Sequence, residues 1–77
     1  MSLRLMARLV DARGLLCPLP LLRAREALTT LGPGEDLVVL ATDREAPIDL
    51  AALAADHGLA FEQERLDDAW RLTLSRR

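Results

Sequence analysis

One side chain in this sequence is a soft nucleophile able to carry sulfur chemistry. It is Cys17, the only cysteine in 77 residues, set in the run Gly14-Leu15-Leu16-Cys17-Pro18-Leu19-Pro20. A lone cysteine cannot close an internal disulfide, form a Cys-x-x-Cys pair or build a metal cage. Any redox or sulfur-transfer chemistry at Cys17 therefore needs a sulfur from a second molecule. The prolines suggest how the thiol is presented. The spacing predicts Cys17 at the N-cap of a first helix, with Pro18 at the first helical position, where a missing N–H costs nothing. Pro20 then takes the third position, which leaves the Leu19 N–H as the nearest donor to the cap. That donor, the positive end of the helix dipole and the guanidinium groups of Arg13 and Arg23 are expected to lower the thiol pKa from about 8.5. Free cysteine is also a common buried hydrophobe. The proline-flanked helix start weighs for presentation, and spacing alone leaves both readings open.

The remaining candidates are weaker. Gly14 reads as a backbone requirement of the turn before the helix. His57 is distant in sequence and reads as a helix-end or surface group rather than a base. Asp43 and Asp49 read as turn and cap residues, Trp70 as packing against the core or a sheet face, and the helix arginines Arg23 and Arg25 as solvated charge. No metal site and no cofactor are expected.

These residues need a frame, and hydrophobic periodicity supplies one. A strand is expected over roughly Leu5–Asp11. Leu21, Ala24, Leu28 and Leu31 then fall at helical spacing, which predicts a helix over Pro18–Leu31. Gly32 would take the left-handed cap, and Pro33-Gly34 suits a type II turn. The apolar run Leu37–Ala41 reads as a central strand. Leu50, Leu53 and Ala54 mark a second helix, opened by Pro47 or Asp49 and ending at Gly58. Leu59–Leu66 alternates, Asp67-Asp68 makes a turn, and Trp70, Leu72 and Leu74 share one face of a last strand. The order is β-α-β-α-β-β, with parallel neighbours expected across both helical crossovers and a final hairpin. The predicted fold class is α+β: a two-layer α/β sandwich with a four-stranded mixed sheet and two helices on one face.

Composition bounds the rest. The length suits one small domain, residues 1–77. Hydrophobic residues make up 51% and charged residues 29%, a globular balance. The net charge of -2 argues against broad phosphate neutralisation, so direct nucleic-acid binding is not expected. Every basic residue is Arg, which reads as compositional bias. No segment has the length of a membrane span, and Arg4, Arg8 and Asp11 interrupt the N-terminal stretch where a signal peptide would be apolar. A reducing cytoplasm is the expected location.

The segment Asp11-Ala12-Arg13-Gly14-Leu15-Leu16-Cys17-Pro18-Leu19-Pro20 resembles the signature of the TusA/SirA-like sulfur-carrier family, Asp-x-x-Gly-Leu-x-Cys-Pro-x-Pro ahead of a helix. The similarity continues through Leu31–Asp43 and Asp49-Leu50. The resemblance implies that Cys17 carries sulfane sulfur as a persulfide, with Gly14, Pro18 and Pro20 as its supporting motif. It implies a donor of cysteine desulfurase or rhodanese type and an acceptor relay protein, as in 2-thiouridine synthesis in tRNA or sulfur oxidation. The chain would then be a sulfurtransferase component rather than a free-standing enzyme. By position, Arg25 and Asp43 match residues the family can use toward partners. The family fold is also β-α-β-α-β-β. This sequence departs from the family where Asp49-Leu50-Ala51 replaces Asp-Ile-Pro, where Ala54 stands at the place of a second cysteine, and where His57 precedes Gly58. Two other functions stay open on the residues alone: a non-catalytic interaction module, RNA-associated or not, and a thiol redox protein. Few aromatics weigh against the first as an RNA binder, and the missing resolving cysteine weighs against the second.

Overall fold

A computed structural model describes residues 6–76. The elements run β1 (Met6–Ala12), α1 (Leu19–Leu28), β2 (Glu35–Ala41), α2 (Ala46–Asp56), β3 (Ala60–Arg65) and β4 (Trp70–Ser75). The expected start of β1 at Leu5 lies outside the described residues. The four strands form one mixed sheet in the order β1-β2-β4-β3. Both helices pack on one face, α1 over β1 and β2, α2 over β3 and β4, and they touch each other. The two-layer α+β sandwich expected from the sequence is the fold observed.

The core lies between the layers. Leu37, Val39 and Ala41 of β2 are fully buried, while the alternating Val38 and Leu40 on the open face are half-buried. Leu72 and Leu74 of β4 join the same layer, opposite Leu50, Leu53 and Ala54 of α2 and Ala24 of α1. No polar or charged side chain is fully buried among the described residues. The driving force is apolar area removed from water.

The connection across α2 corrects the expected pairing. β1 and β2 are parallel neighbours, with Ala12 opposite Ala41. β2 and β3 also run in the same direction, but β4 lies between them and pairs antiparallel with both. Burial gives the reason. Residues 62–65 of β3 are exposed on both faces, whereas β4 carries the fully buried Leu72 and Leu74, so β4 takes the centre and β3 the edge. On that hairpin Arg71 pairs with Glu64 across the strands, and the Arg65 guanidinium stacks 4.7 Å from the Trp70 ring centre.

Two local expectations also shift. α1 ends at Leu28 rather than Leu31: the N–H groups of Thr29, Thr30 and Leu31 bond three residues back, to Glu26, Ala27 and Leu28, in tighter turns, and the Thr29 and Thr30 hydroxyls share the Glu26 and Ala27 carbonyls at 2.7 and 3.3 Å. The left-handed residue is Gly34, with φ +79, not Gly32. Gly34 is the third residue of the Pro33-Gly34 turn, which the Glu35 N–H closes onto the Gly32 carbonyl at 3.1 Å. α2 ends as expected at Gly58, in a Schellman arrangement: the Leu59 N–H donates to the Ala54 carbonyl at 2.8 Å and the Gly58 N–H to Ala55 at 3.2 Å.

Candidate functional site

The loop between β1 and α1 is built by short-range bonds. The Asp11 carboxylate accepts the Arg13 backbone N–H at 3.1 Å and the Arg13 guanidinium through two bonds of 2.8 Å. Its pKa falls to about 2, first because of the Arg13 side-chain bond and then because of the Arg13 N–H. The Leu15 N–H closes a turn onto the Ala12 carbonyl at 3.2 Å. Gly14 sits inside that turn with φ +83, in the left-handed region. A Cβ there would meet nothing within 4 Å, so backbone conformation rather than crowding asks for glycine. The Gly14 N–H donates to Thr42 Oγ1 at 2.9 Å, which ties this loop to the one after β2.

Cys17 follows at the mouth of α1 and is exposed. Its expected place at the N-cap is not observed. Pro18 is the N-cap residue, Leu19 the first helical residue and Pro20 the second, so Cys17 lies one residue outside the helix. The Cys17–Pro18 peptide is cis. Pro20 is fully buried, so it anchors the helix start in the core as well as stiffening it.

The expected lowering of the thiol pKa is also overturned. The Leu19 N–H does not reach the sulfur, because it donates to the Leu16 carbonyl at 2.8 Å. Arg13 is engaged by Asp11, and Arg23 lines a groove between β1 and α1 with Arg8, Leu9 and Glu26. What reaches the sulfur is anionic. Cys17 Sγ donates to Asp49 Oδ2 at 3.5 Å, across 32 residues of sequence. The thiol pKa is raised above its ordinary value by partial desolvation, then by the Asp49 hydrogen bond, then by the charges of Asp49, Asp43 and Glu45. The free thiol is therefore the resting form at neutral pH.

Asp43 lies in the β2–α2 loop, where its Oδ2 accepts the Glu45 N–H and its carbonyl accepts the Ala46 N–H, both at 3.1 Å. Asp49 is in the first turn of α2. Arg25 is exposed in the last turn of α1, about 9 Å of helical rise beyond Leu19. His57 caps the opposite end of α2 from Asp49. The structure thus gathers Cys17, Gly14, Pro18, Asp43 and Asp49 at one end of the sheet and leaves Arg25 and His57 apart from them. Among the described residues, no cluster of three or more His, Cys, Asp or Glu is placed to hold a metal ion.

Sequence reasoning missed three features of this site. Asp49 reads as a cap, and nothing in its spacing announces a contact with Cys17. Thr42 carries no motif signal. The apolar rim was legible but not read. Ile48, 66% exposed, falls on the side of α2 opposite Leu50, Leu53 and Ala54, and Leu19 and Leu22 sit on α1 away from Ala24 and Leu28. With Leu16, 71% exposed next to Cys17 in the chain, these are exposed apolar side chains on the segments that carry Cys17 and Asp49. Such a surface suits a thiol that reacts inside a contact with another protein.

Comparison with known proteins agrees with this geometry. Residues 8–76 match the family model described as Sulfurtransferase TusA. The sulfur carrier protein TusA of Allochromatium vinosum is 45% identical over 49 residues, covering 64% of each chain. A candidate sulfur carrier protein of Neisseria meningitidis is 49% identical over 49 residues, covering 64% of this chain and 66% of its own. Each of these matches spans just under two thirds of the relative's length. The SirA-like protein of Desulfitobacterium hafniense superposes with a TM-score of 0.80 at 30% identity, over 90% of this chain and 95% of that one. With the family model running from the middle of β1 past the end of β4, and the same sandwich in a solved relative, this chain belongs to the TusA sulfurtransferase family.

Proposed function

We propose that this chain is a sulfur carrier that holds sulfane sulfur as a persulfide on Cys17. The observation that carries the reading is the exposed Cys17, at the head of α1 in a chain of the TusA family. The names of its relatives as sulfur carriers support it.

Two exchanges make the cycle. The Cys17 thiolate attacks the outer sulfur of a donor persulfide. The donor S–S bond breaks, its electron pair stays on the donor sulfur as thiolate, and Cys17 becomes the persulfide. An acceptor thiolate then attacks the outer sulfur of that persulfide and Cys17 leaves as thiolate. Sulfur moves at the same oxidation level throughout, so no external oxidant is consumed. The donor is a cysteine desulfurase or rhodanese-type protein and the acceptor a relay protein, serving tRNA 2-thiouridine synthesis or related sulfur traffic in the cytoplasm. Arg25 and Asp43 contact those partners. No helix is long and apolar enough to cross a membrane among the described residues.

The test is intact-mass analysis after incubation with a cysteine desulfurase and cysteine. The expected result is a gain of one sulfur atom that maps to Cys17, is removed by reductant, and is absent in Cys17→Ser. Failure to gain sulfur from either a desulfurase or a rhodanese-type donor refutes the reading.

A further inference from the structure

The resting state of the site poses a problem for any sulfur exchange. Attack on a persulfide or disulfide needs the thiolate, yet among the described residues the charged groups acting on the Cys17 sulfur are all acids: Asp49 in the first turn of α2, Glu45 at its N-cap and Asp43 in the loop before it. The nearest cation along the chain, Arg13, is held by Asp11 through two hydrogen bonds. The helix start offers no relief, because the Leu19 N–H is spent on the Leu16 carbonyl and Pro20 has none. Among the described residues the sulfur thus has one direct polar partner, Asp49 Oδ2 at 3.5 Å, and it is a proton acceptor.

We propose that Asp49 is a positioning residue that holds the proton on Cys17 in the free carrier, so that Cys17 exchanges sulfur preferentially with a partner presenting a cation beside its own reacting sulfur. The inference rests on Cys17 being the carrier thiol. An arriving arginine or lysine takes the Asp49 carboxylate as its counter-ion and frees the sulfur from that hydrogen bond. The thiol proton leaves to solvent, and the thiolate forms where the partner's sulfur is already in reach. In the absence of such a partner the thiol stays protonated, which protects an exposed sulfur from oxidation and from indiscriminate disulfide exchange. The surroundings fit a protein contact: Leu16 and Ile48, the chain neighbours of Cys17 and Asp49, are exposed apolar side chains.

Thiol–disulfide exchange with two small probes isolates the effect from any particular donor. Cystamine carries two positive charges and 3,3′-dithiodipropionate two negative ones. In each case the Cys17 thiolate attacks one sulfur, the probe S–S bond breaks and the probe half leaves as thiolate, so the probe itself is the oxidant. The protein should react faster with cystamine, and added salt should erode that preference. Asp49→Asn should lose part of the preference and should shift the pH midpoint of Cys17 alkylation by iodoacetamide downward, with alkylation at neutral pH faster by roughly threefold or more. Asp49→Glu should restore both. A merely structural role for Asp49 would move neither the charge preference nor the alkylation midpoint in this direction. Equal reactivity of the unaltered protein with both probes at low salt overturns the proposal without any variant. An unchanged midpoint in folded Asp49→Asn overturns it as well. Refusal of sulfur from every donor sinks the carrier reading instead, and leaves these probe results standing.

Discussion

Gly14 offers the sharpest test of how the fold positions Cys17. The residue has φ +83, and a Cβ placed on it would touch nothing within 4 Å. The cost of a substitution is then set by backbone conformation alone. Alanine in the left-handed region costs about 1–2 kcal/mol, which exceeds the roughly 0.4–1 kcal/mol it returns by narrowing the unfolded ensemble. Asparagine tolerates that region and should cost less, while valine is a steric outlier there and should cost more. At this chain length about 1 kcal/mol moves the melting temperature by roughly 4–8 °C. The expected order of melting temperature is thus Gly14, Gly14→Asn, Gly14→Ala, Gly14→Val. Thermal unfolding followed by circular dichroism reads the series. Loading of Cys17 by a desulfurase should fall in the same order, because the turn that strains also donates the Gly14 N–H to Thr42 and so holds the two loops together. If the asparagine and valine variants melt together with the unaltered protein, the turn is not held in the left-handed region and the argument fails.

Three further outcomes are expected. Nuclear magnetic resonance should find the Asp11 carboxyl titrating near pH 2; because its folded pKa lies below its unfolded one, the Asp11–Arg13 link stabilises the protein above about pH 4 and is lost as pH falls toward about 2, and Arg13→Ala should raise the titration only part of the way to the ordinary carboxylate range, because the main-chain N–H of residue 13 still donates to the carboxylate. Leu16→Ser and Ile48→Ser change exposed side chains, so urea unfolding should move by no more than about 0.5 kcal/mol, whereas sulfur loading by a protein donor should slow and reaction with iodoacetamide should not. Pro20→Ala removes ring carbons from a buried site at a cost of about 1–2 kcal/mol; the fold should survive and sulfur exchange should slow, and an unchanged exchange rate would show that the stiff helix start is incidental.

Most of the fold is legible in the residues because its signals are long and periodic. Leu37, Val39 and Ala41 declare a buried strand, and Leu50, Leu53 and Ala54 declare a helix face. The signals that mislead are single residues. Leu31 continues the helical spacing of α1 and packs against the core, yet the last turns tighten to bonds three residues back, so the α-helix stops at Leu28. Pro-x-Pro marks a helix start without saying whether Cys17 or Pro18 is its cap. The place of β4 was readable in the polar run Glu62–Arg65, since a strand wet on both faces suits only a sheet edge. Thiol acidity was the deepest miss. Local reasoning about a helix N-terminus places donors near the sulfur, whereas desolvation comes first, and the carboxylates that add to it come from α2 and the loop before it.

Topology explains why that other element is close. β1 and β2 are parallel and in register, so Ala12 and Ala41 end their strands side by side. The chain leaves both strands at the same end of the sheet. The loop after β1 must carry Cys17 there, and the loop after β2 must carry Asp43 and the start of α2 there. The Gly14–Thr42 hydrogen bond fastens the two loops at their bases. Because α1 and α2 lie on one face and touch, their first turns converge as well, which brings Asp49 within 3.5 Å of the sulfur. The encounter of a thiol and a carboxylate 32 residues apart thus follows from one parallel pairing and two crossovers on the same side. A site assembled this way is sensitive to how the loops are tied rather than to the helices themselves. Thr42→Val, which keeps the shape and removes the acceptor of the Gly14 N–H, should therefore disturb Cys17 reactivity more than it disturbs stability.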